Sequence, residues 1–248
     1  MLRKIFLVVL LLALMSGVAR AEEKTLTFAA DCTWPPMEFM NENKEITGFA
    51  PELLAAMAKA AGFTAVVKNT AWDGIFAGLE AGKYDAISSS VSITDERKKT
   101  MDFSEPYFEV KQAVVVQKGG GIAAVTDLKG KQVGGQIGTT GFFAIKKIEG
   151  ANGKSYDEIG LAMEDLFNGR IDAVFCDDPV AADYALQKKE YKEKLTIAFI
   201  IETPEKEYYG WPVKKGDTES LALINKGLAA VKASGAYDEL MTKWFGRK

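Results

Sequence analysis

A chain of 248 residues with 31 basic against 34 acidic side chains, a net charge of -3 and no histidine excludes several functions at the outset. The mild acidity argues against nucleic acid as a partner, and the missing imidazole removes the commonest general base and metal ligand. Cys32 and Cys176 lie too far apart to form a disulfide framework or a metal-ligand spacing, so no metal and no cofactor is expected. A single bridge stays open for them, with two small buried thiols the favoured reading.

The N-terminus reads as a targeting segment. Arg3 and Lys4 precede an uncharged apolar run over 5–15, and Ala19-Arg20-Ala21 places small residues where a signal peptidase reads them. We expect a signal peptide over 1–21, cut after Ala21. The run is far shorter than the ~20 residues that span a bilayer. No cysteine follows the small residues to take a lipid, so a periplasmic location is expected. Without Arg3, Lys4 and Arg20 the net charge becomes -6, and about 227 residues remain, enough for one large or two modest domains.

From there strands and helices alternate. Residues 26–30 read as a strand, ended by Asp31-Cys32-Thr33-Trp34-Pro35-Pro36, where two prolines predict a stiff loop holding Trp34. Polar residues 41–44 read as a hairpin turn. Leu53, Leu54, Met57 and Ala61 on one face, with Pro51 near the start and Gly62 at the end, predict a helix. A short β-branched strand over 64–68 follows, and Trp72-Asp73-Gly74 opens a second helix that Gly82 stops. This order implies βαβ units and a mainly parallel sheet, whose ligands collect at strand carboxyl ends.

Residues 86–99 change character midway. A short buried strand passes into the hydroxyls of Ser88, Ser89, Ser90 and Ser92, and Thr94-Asp95-Glu96 then reads as a helix start with Arg97 in its first turn. Backbone donors, hydroxyls and a guanidinium in one place describe a receptor for a carboxylate or a phosphate. Further on, Gly138-Thr139-Thr140-Gly141 lacks the lysine and spacing of a P-loop but offers another set of donors at a helix start.

An internal echo then appears. Residues 79–87 and 166–174 share the pattern Leu-x-x-Gly-basic-x-Asp-Ala-aliphatic, each a helix end turning into a strand. After the first copy comes Arg97; after the second comes Cys176-Asp177-Asp178-Pro179. One lobe thus offers a cation and the other an anion, a pairing suited to a zwitterion. Asp177 is read as facing the ligand and Asp178 as capping a helix begun at Pro179. Helices over 220–244, broken at Gly235, are expected to dock on the first lobe.

The ordered series Trp34-Pro35-Pro36-Met37-Glu38-Phe39, Trp72-Asp73-Gly74, Ser92-Ile93-Thr94-Asp95-Glu96-Arg97, Gly138-Thr139-Thr140-Gly141, Asp172-Ala173-Val174 and Tyr209-Gly210 resembles the bacterial extracellular solute-binding proteins of family 3. The resemblance implies an α/β fold, a two-lobed periplasmic-binding-protein clamshell (type II) with mainly parallel sheets and two hinge crossovers, near 110–114 and 202–208. Lobe 1 would be 22–111 with 208–248, and lobe 2 would be 112–207. It implies that Arg97 takes a ligand carboxylate, helped by Ser92 and by the Thr139-Thr140 loop. Asp177, Ser92 and the backbone at Ser90 would take the ammonium. Trp34 and Trp72 would sandwich the side chain, and Asp31 would line its pocket. The partners implied are an L-amino acid with a basic or amide side chain and an ABC transporter permease, the receptor acting as a monomer. The alternative is a cleft enzyme of the cyclohexadienyl dehydratase type, for which Asp31, Glu38 and Asp177 are the candidate acids.

Overall fold

The computed structural model describes residues 24–246; the expected signal peptide lies outside the described residues. The described residues begin with β1 (Lys24–Ala30), β2 (Thr33–Trp34), β3 (Glu38–Met40), β4 (Ile46–Thr47), α1 (Phe49–Ala61) and β5 (Phe63–Asn69). Then come α2 (Ile75–Glu80), β6 (Ala86–Ile87), β7 (Val91–Ser92), α3 (Asp95–Lys98), β8 (Met101–Phe103) and β9 (Phe108–Val110). The middle of the chain gives β10 (Gln112–Gln117), a 3-10 turn (Val125–Leu128), β11 (Gln132–Gln136), α4 (Thr140–Ile145), β12 (Asn152–Tyr156), α5 (Ile159–Phe167), β13 (Ala173–Asp177) and α6 (Asp178–Ala182). A π-helical turn (Asp183–Gln187) extends α6, and β14 (Leu195–Ile201), β15 (Glu207–Gly210), β16 (Pro212–Lys214), α7 (Thr218–Ser234) and α8 (Ala236–Phe245) complete the chain.

Two five-stranded sheets result, in the orders β5-β1-β6-β16-β8 and β12-β11-β13-β10-β14, and each is the floor of one lobe. The expectation of mainly parallel sheets holds for the βαβ part of each and fails beside it. β1 runs parallel to β5 and β6, and β11 parallel to β12 and β13. By contrast, β16 is antiparallel to β6 and β8, and β10 is antiparallel to β13 and β14. The antiparallel strands are those flanking the passages between lobes, because a strand arriving from the other lobe enters from the end at which the βαβ strands finish. A small sheet, β7-β15-β9, joins the passages, with β15 antiparallel to both neighbours.

The echo in the sequence is an echo in structure. Gly82 (φ 72) and Gly169 (φ 71) turn the chain in the left-handed region, where a side chain would be strained. The aspartate three residues later then reaches the neighbouring strand. Asp85 Oδ2 accepts the Thr27 N–H at 2.7 Å, and Asp172 Oδ2 accepts the Gln132 N–H at 2.7 Å. In return the Asp85 and Asp172 N–H groups donate to the carbonyls of Thr27 and Gln132, each at 2.9 Å. This two-way clasp registers β6 on β1 and β13 on β11, fixing where each of β6 and β13 starts.

An aromatic cluster fills the core of the first lobe below the passages. Phe49, Tyr107, Tyr209 and Trp211 are buried, with the Tyr107 and Trp211 rings 5.0 Å apart and Phe49 5.2 Å from Phe245 of the last helix. Burying side chains of this size contributes about 1.5–3 kcal/mol each. As expected, α7 and α8 dock on α1. Both cysteines are buried and free, and burial pushes the Cys32 thiol up to about 12. Among the described residues no helix is long and apolar enough to cross a membrane.

Two local expectations change. Trp34 is in β2, paired with Glu38 of β3, because the chain reverses through the prolines instead of running out as a loop. Asp178 does not cap from outside its helix. It is the first helical residue, and its carboxylate accepts the Lys111 N–H at 2.9 Å, tying α6 to the first passage.

Candidate functional site

The nine residues singled out in the sequence, Asp31, Trp34, Trp72, Ser90, Ser92, Arg97, Thr139, Thr140 and Asp177, all line one cavity between the lobes, together with Ser89 and Gln136. The open space among these residues, solvent included, is about 310 Å³.

In the first lobe, strand ends supply the wall. Asp31 follows β1, and its N–H donates to Ser89 Oγ at 2.9 Å while Thr33 Oγ1 donates to its carboxylate at 2.7 Å. Burial raises the Asp31 carboxyl above its ordinary range, and nearby Glu158 adds to the rise. Trp72 stands before α2, edge-on to Phe76 at 5.0 Å. The predicted cap of α3 is present, Thr94 Oγ1 accepting the Arg97 N–H at 3.2 Å.

That cap starts the turn from which Arg97 reaches the cavity. Its Nη1 donates to the Ser92 carbonyl at 2.9 Å and its Nη2 to the Gly138 carbonyl of the opposite lobe at 3.1 Å. The guanidinium lies 4.9 Å from the Phe76 ring centre and 5.6 Å from that of Trp72, within cation–π range. Burial lowers its pKa to about 10, with Glu207 and Asp177 opposing, so it stays charged at neutral pH. Among the described residues Arg97 forms no ion pair. These bonds use two of the five N–H donors a guanidinium carries, leaving donors with which to pair a carboxylate.

The second lobe answers with an acid. Asp177 ends β13 and is buried; Oδ1 accepts Gln112 Nε2 at 2.6 Å, and Oδ2 accepts the Tyr209 hydroxyl. Burial, reinforced by Glu207, pushes its carboxyl up to about 7. Thr139 caps α4 by accepting the Phe142 N–H at 3.1 Å, and Thr140 Oγ1 donates to Glu207 at 2.6 Å and stands 3.5 Å from Ser92 Oγ.

Sequence reasoning missed a set of polar residues that only the folded pair of lobes brings in. Gln136 is buried, and its Nε2 crosses the cleft to Asp31 Oδ2 at 2.7 Å while also donating to the Asp157 carbonyl at 2.8 Å. It ends β11, the same topological place as Asp31 and Asp177, and that position was its one available signal. Gln112 donates to Asp177, Thr140 and Glu207 together, a bridge at the passages that no local motif announces. Conversely Glu38, one of the acids a cleft enzyme would need, does not line the cavity and lies behind the serines. Among the described residues no cluster of three His, Cys, Asp or Glu could hold a metal ion.

Comparison with known proteins identifies the family. The profile of the bacterial extracellular solute-binding proteins, family 3, matches residues 26–247. A probable histidine-binding protein of Neisseria gonorrhoeae is 34% identical over 229 residues, covering 91% of this chain and 84% of that protein. ABC transporter arginine-binding protein 1 of Escherichia coli (strain K12) is 33% identical over 255 residues, covering 98% and 99%. Among solved structures, an ancestral arginine-binding protein bound to glutamine superimposes with a TM-score of 0.84 at 41% identity, covering 91% of this chain and 99% of that one. All three bear the names of binding proteins rather than of enzymes. The chain belongs to the bacterial extracellular solute-binding proteins of family 3.

Proposed function

We propose that this protein is a periplasmic receptor that closes its two lobes on a polar L-amino acid with a basic or amide side chain and hands it to an ABC transporter permease. One observation carries the reading: Arg97 and Asp177 face one cavity from opposite lobes, and neither is neutralised by an ion pair among the described residues. An α-carboxylate at the first and an α-ammonium at the second would satisfy both, and bringing both charges onto one ligand favours the closed arrangement. The roles of Ser90, Ser92, Thr139 and Thr140 follow as hydroxyl and backbone partners of those two groups, with Trp34 and Trp72 as walls for the side chain. The lobes would be 22–111 with 208–248 and 112–207, moving as a monomer about the passages.

Asp31 supports the choice of side chain. It is an acid in a buried position, with Glu158 nearby and the Gln136 amide across from it. Such a corner accepts a cation or an amide and repels a carboxylate, so arginine, lysine, ornithine and glutamine lead. A thermal-shift screen of the twenty amino acids plus ornithine and citrulline tests this. At a hundredfold excess over Kd a true ligand should raise Tm by about 5–10 °C. Shifts with acidic or aliphatic amino acids alone would overturn the assignment.

A further inference from the structure

We infer that Glu38, which never touches the cavity, is the positioning residue that holds the Ser89-Ser90 wall of the cleft in its binding shape. The inference rests on the receptor reading for its affinity measurements but also has a readout independent of it. Glu38 is fully buried on β3, where it pairs with Trp34, and no cation neutralises it among the described residues. Its carboxyl is spent on the wall instead. Ser90 Oγ bonds Glu38 Oε2 at 2.7 Å, Ser89 Oγ lies 3.5 Å from Oε1, and Ser89 Oγ in turn accepts the Asp31 N–H at 2.9 Å. The Tyr107 hydroxyl closes the group from below, 3.4 Å from Ser90 Oγ.

What this network holds is a backbone that would otherwise relax. Ser90 has φ +44, the left-handed region that residues other than glycine avoid. Its hydroxyl is turned toward Glu38 and Tyr107, both buried, so Ser90 serves the cavity with its main chain while its side chain is anchored in the core. A strained conformation persists only where its surroundings over-determine it. Burial also pushes the Glu38 carboxyl well above the carboxylate range. Both serine hydroxyls donate to it, and a glutamine has the same shape and keeps a carbonyl oxygen to accept the Ser90 hydroxyl.

The test compares variants that separate anchoring from mere packing. Affinity for L-arginine by calorimetry should fall at least thirtyfold in Glu38→Leu and stay within about threefold in Glu38→Gln. Ser90→Ala keeps the Cβ strain but loses the anchor, and Ser90→Gly loses the anchor and the strain together. Ser90→Ala should therefore bind at least tenfold more weakly than Ser90→Gly, and adding Ser90→Gly to Glu38→Leu should recover at least tenfold. Ser90→Ala binding as tightly as Ser90→Gly would overturn the inference, even if Glu38→Leu fails to fold. In the ligand-free crystal structure of Ser90→Ala the residue should leave positive φ; its remaining there would also overturn the inference. A wild-type protein that binds no amino acid would sink the receptor reading alone, leaving that backbone comparison to decide the role of Glu38.

Discussion

The two echoed segments, 79–87 and 166–174, are built alike and deliver opposite charges. Each turns through a glycine and clasps the neighbouring strand with an aspartate, Asp85 on Thr27 and Asp172 on Gln132, both at 2.7 Å. Beyond that point they diverge. The first continues through serines and the cap of Thr94 to Arg97, and the second ends its strand on Asp177. The difference teaches that the repeated part is scaffold, placing a strand end at the cleft, while the chemistry lies in the few residues that follow. On the receptor reading proposed above, the scaffold contributes to stability and the divergent ends to recognition, so substitutions in the two classes should separate cleanly.

The largest expected effect comes from breaking the cationic end. Arg97→Ala should weaken amino acid binding by about 2–5 kcal/mol, some 30-fold to several thousandfold, with a cooperative thermal transition retained. Removing the anionic end by Asp177→Asn should cost affinity of the same order and in addition change the pH response. The Asp177 carboxyl stands at about 7 in the protein against 3.8 unfolded. The folded state therefore binds the proton more readily, and this group's contribution to stability is greatest at low pH and declines as pH rises from about 4 to about 7. Relief of that burden should make Asp177→Asn more stable than wild type at pH 7.5, by about 1–3 kcal/mol. Ligand binding runs the other way. An ammonium needs the ionised carboxylate, so wild-type affinity should rise by up to about tenfold per pH unit from pH 5 to 7 and then level off. In Asp177→Asn the slope should vanish. A slope unchanged by the substitution would assign the titration elsewhere.

A smaller effect tests the side-chain corner. Asp31→Asn should weaken arginine relative to glutamine by about 1–3 kcal/mol, because the asparagine keeps the shape while removing the charge. Equal losses for both ligands would reduce Asp31 to a loop anchor. Smallest is the scaffold itself: Asp85→Ala and Asp172→Ala should each lower stability by about 1–2 kcal/mol in urea unfolding and leave affinity unchanged. An affinity loss from either would blur the division between scaffold and recognition.

What the sequence made legible was local. The cap at Thr94, the stop at Gly82, the echo and the charge reversal after it are all written in short spacings whose physics does not depend on the rest of the chain. The cross-lobe contacts were not. Gln136 reads as an ordinary polar strand residue until the second lobe sets it 2.7 Å from Asp31, and Gln112 and Glu207 gain their roles only where the passages meet Thr140 and Asp177. Glu38 was visible as an acid near the cleft, yet whether it faced the cavity or the core depended on the strand pairing with Trp34. Asp177 and Asp178 illustrate the same limit. Adjacent and identical in chemistry, they part because the first ends β13 in the cavity and the second starts α6 against Lys111.

The receptor reading has the cleft grip both α-charges of one ligand at once. Its most direct test leaves the protein intact and alters the ligand, titrating the wild type calorimetrically with L-arginine, with agmatine, which lacks the carboxylate, and with 5-guanidinopentanoate, which lacks the ammonium. L-arginine should bind, and each truncated analogue should lose at least about 30-fold in affinity, the lower bound for leaving a buried charge without its partner. Either analogue binding as tightly as L-arginine would contradict that reading.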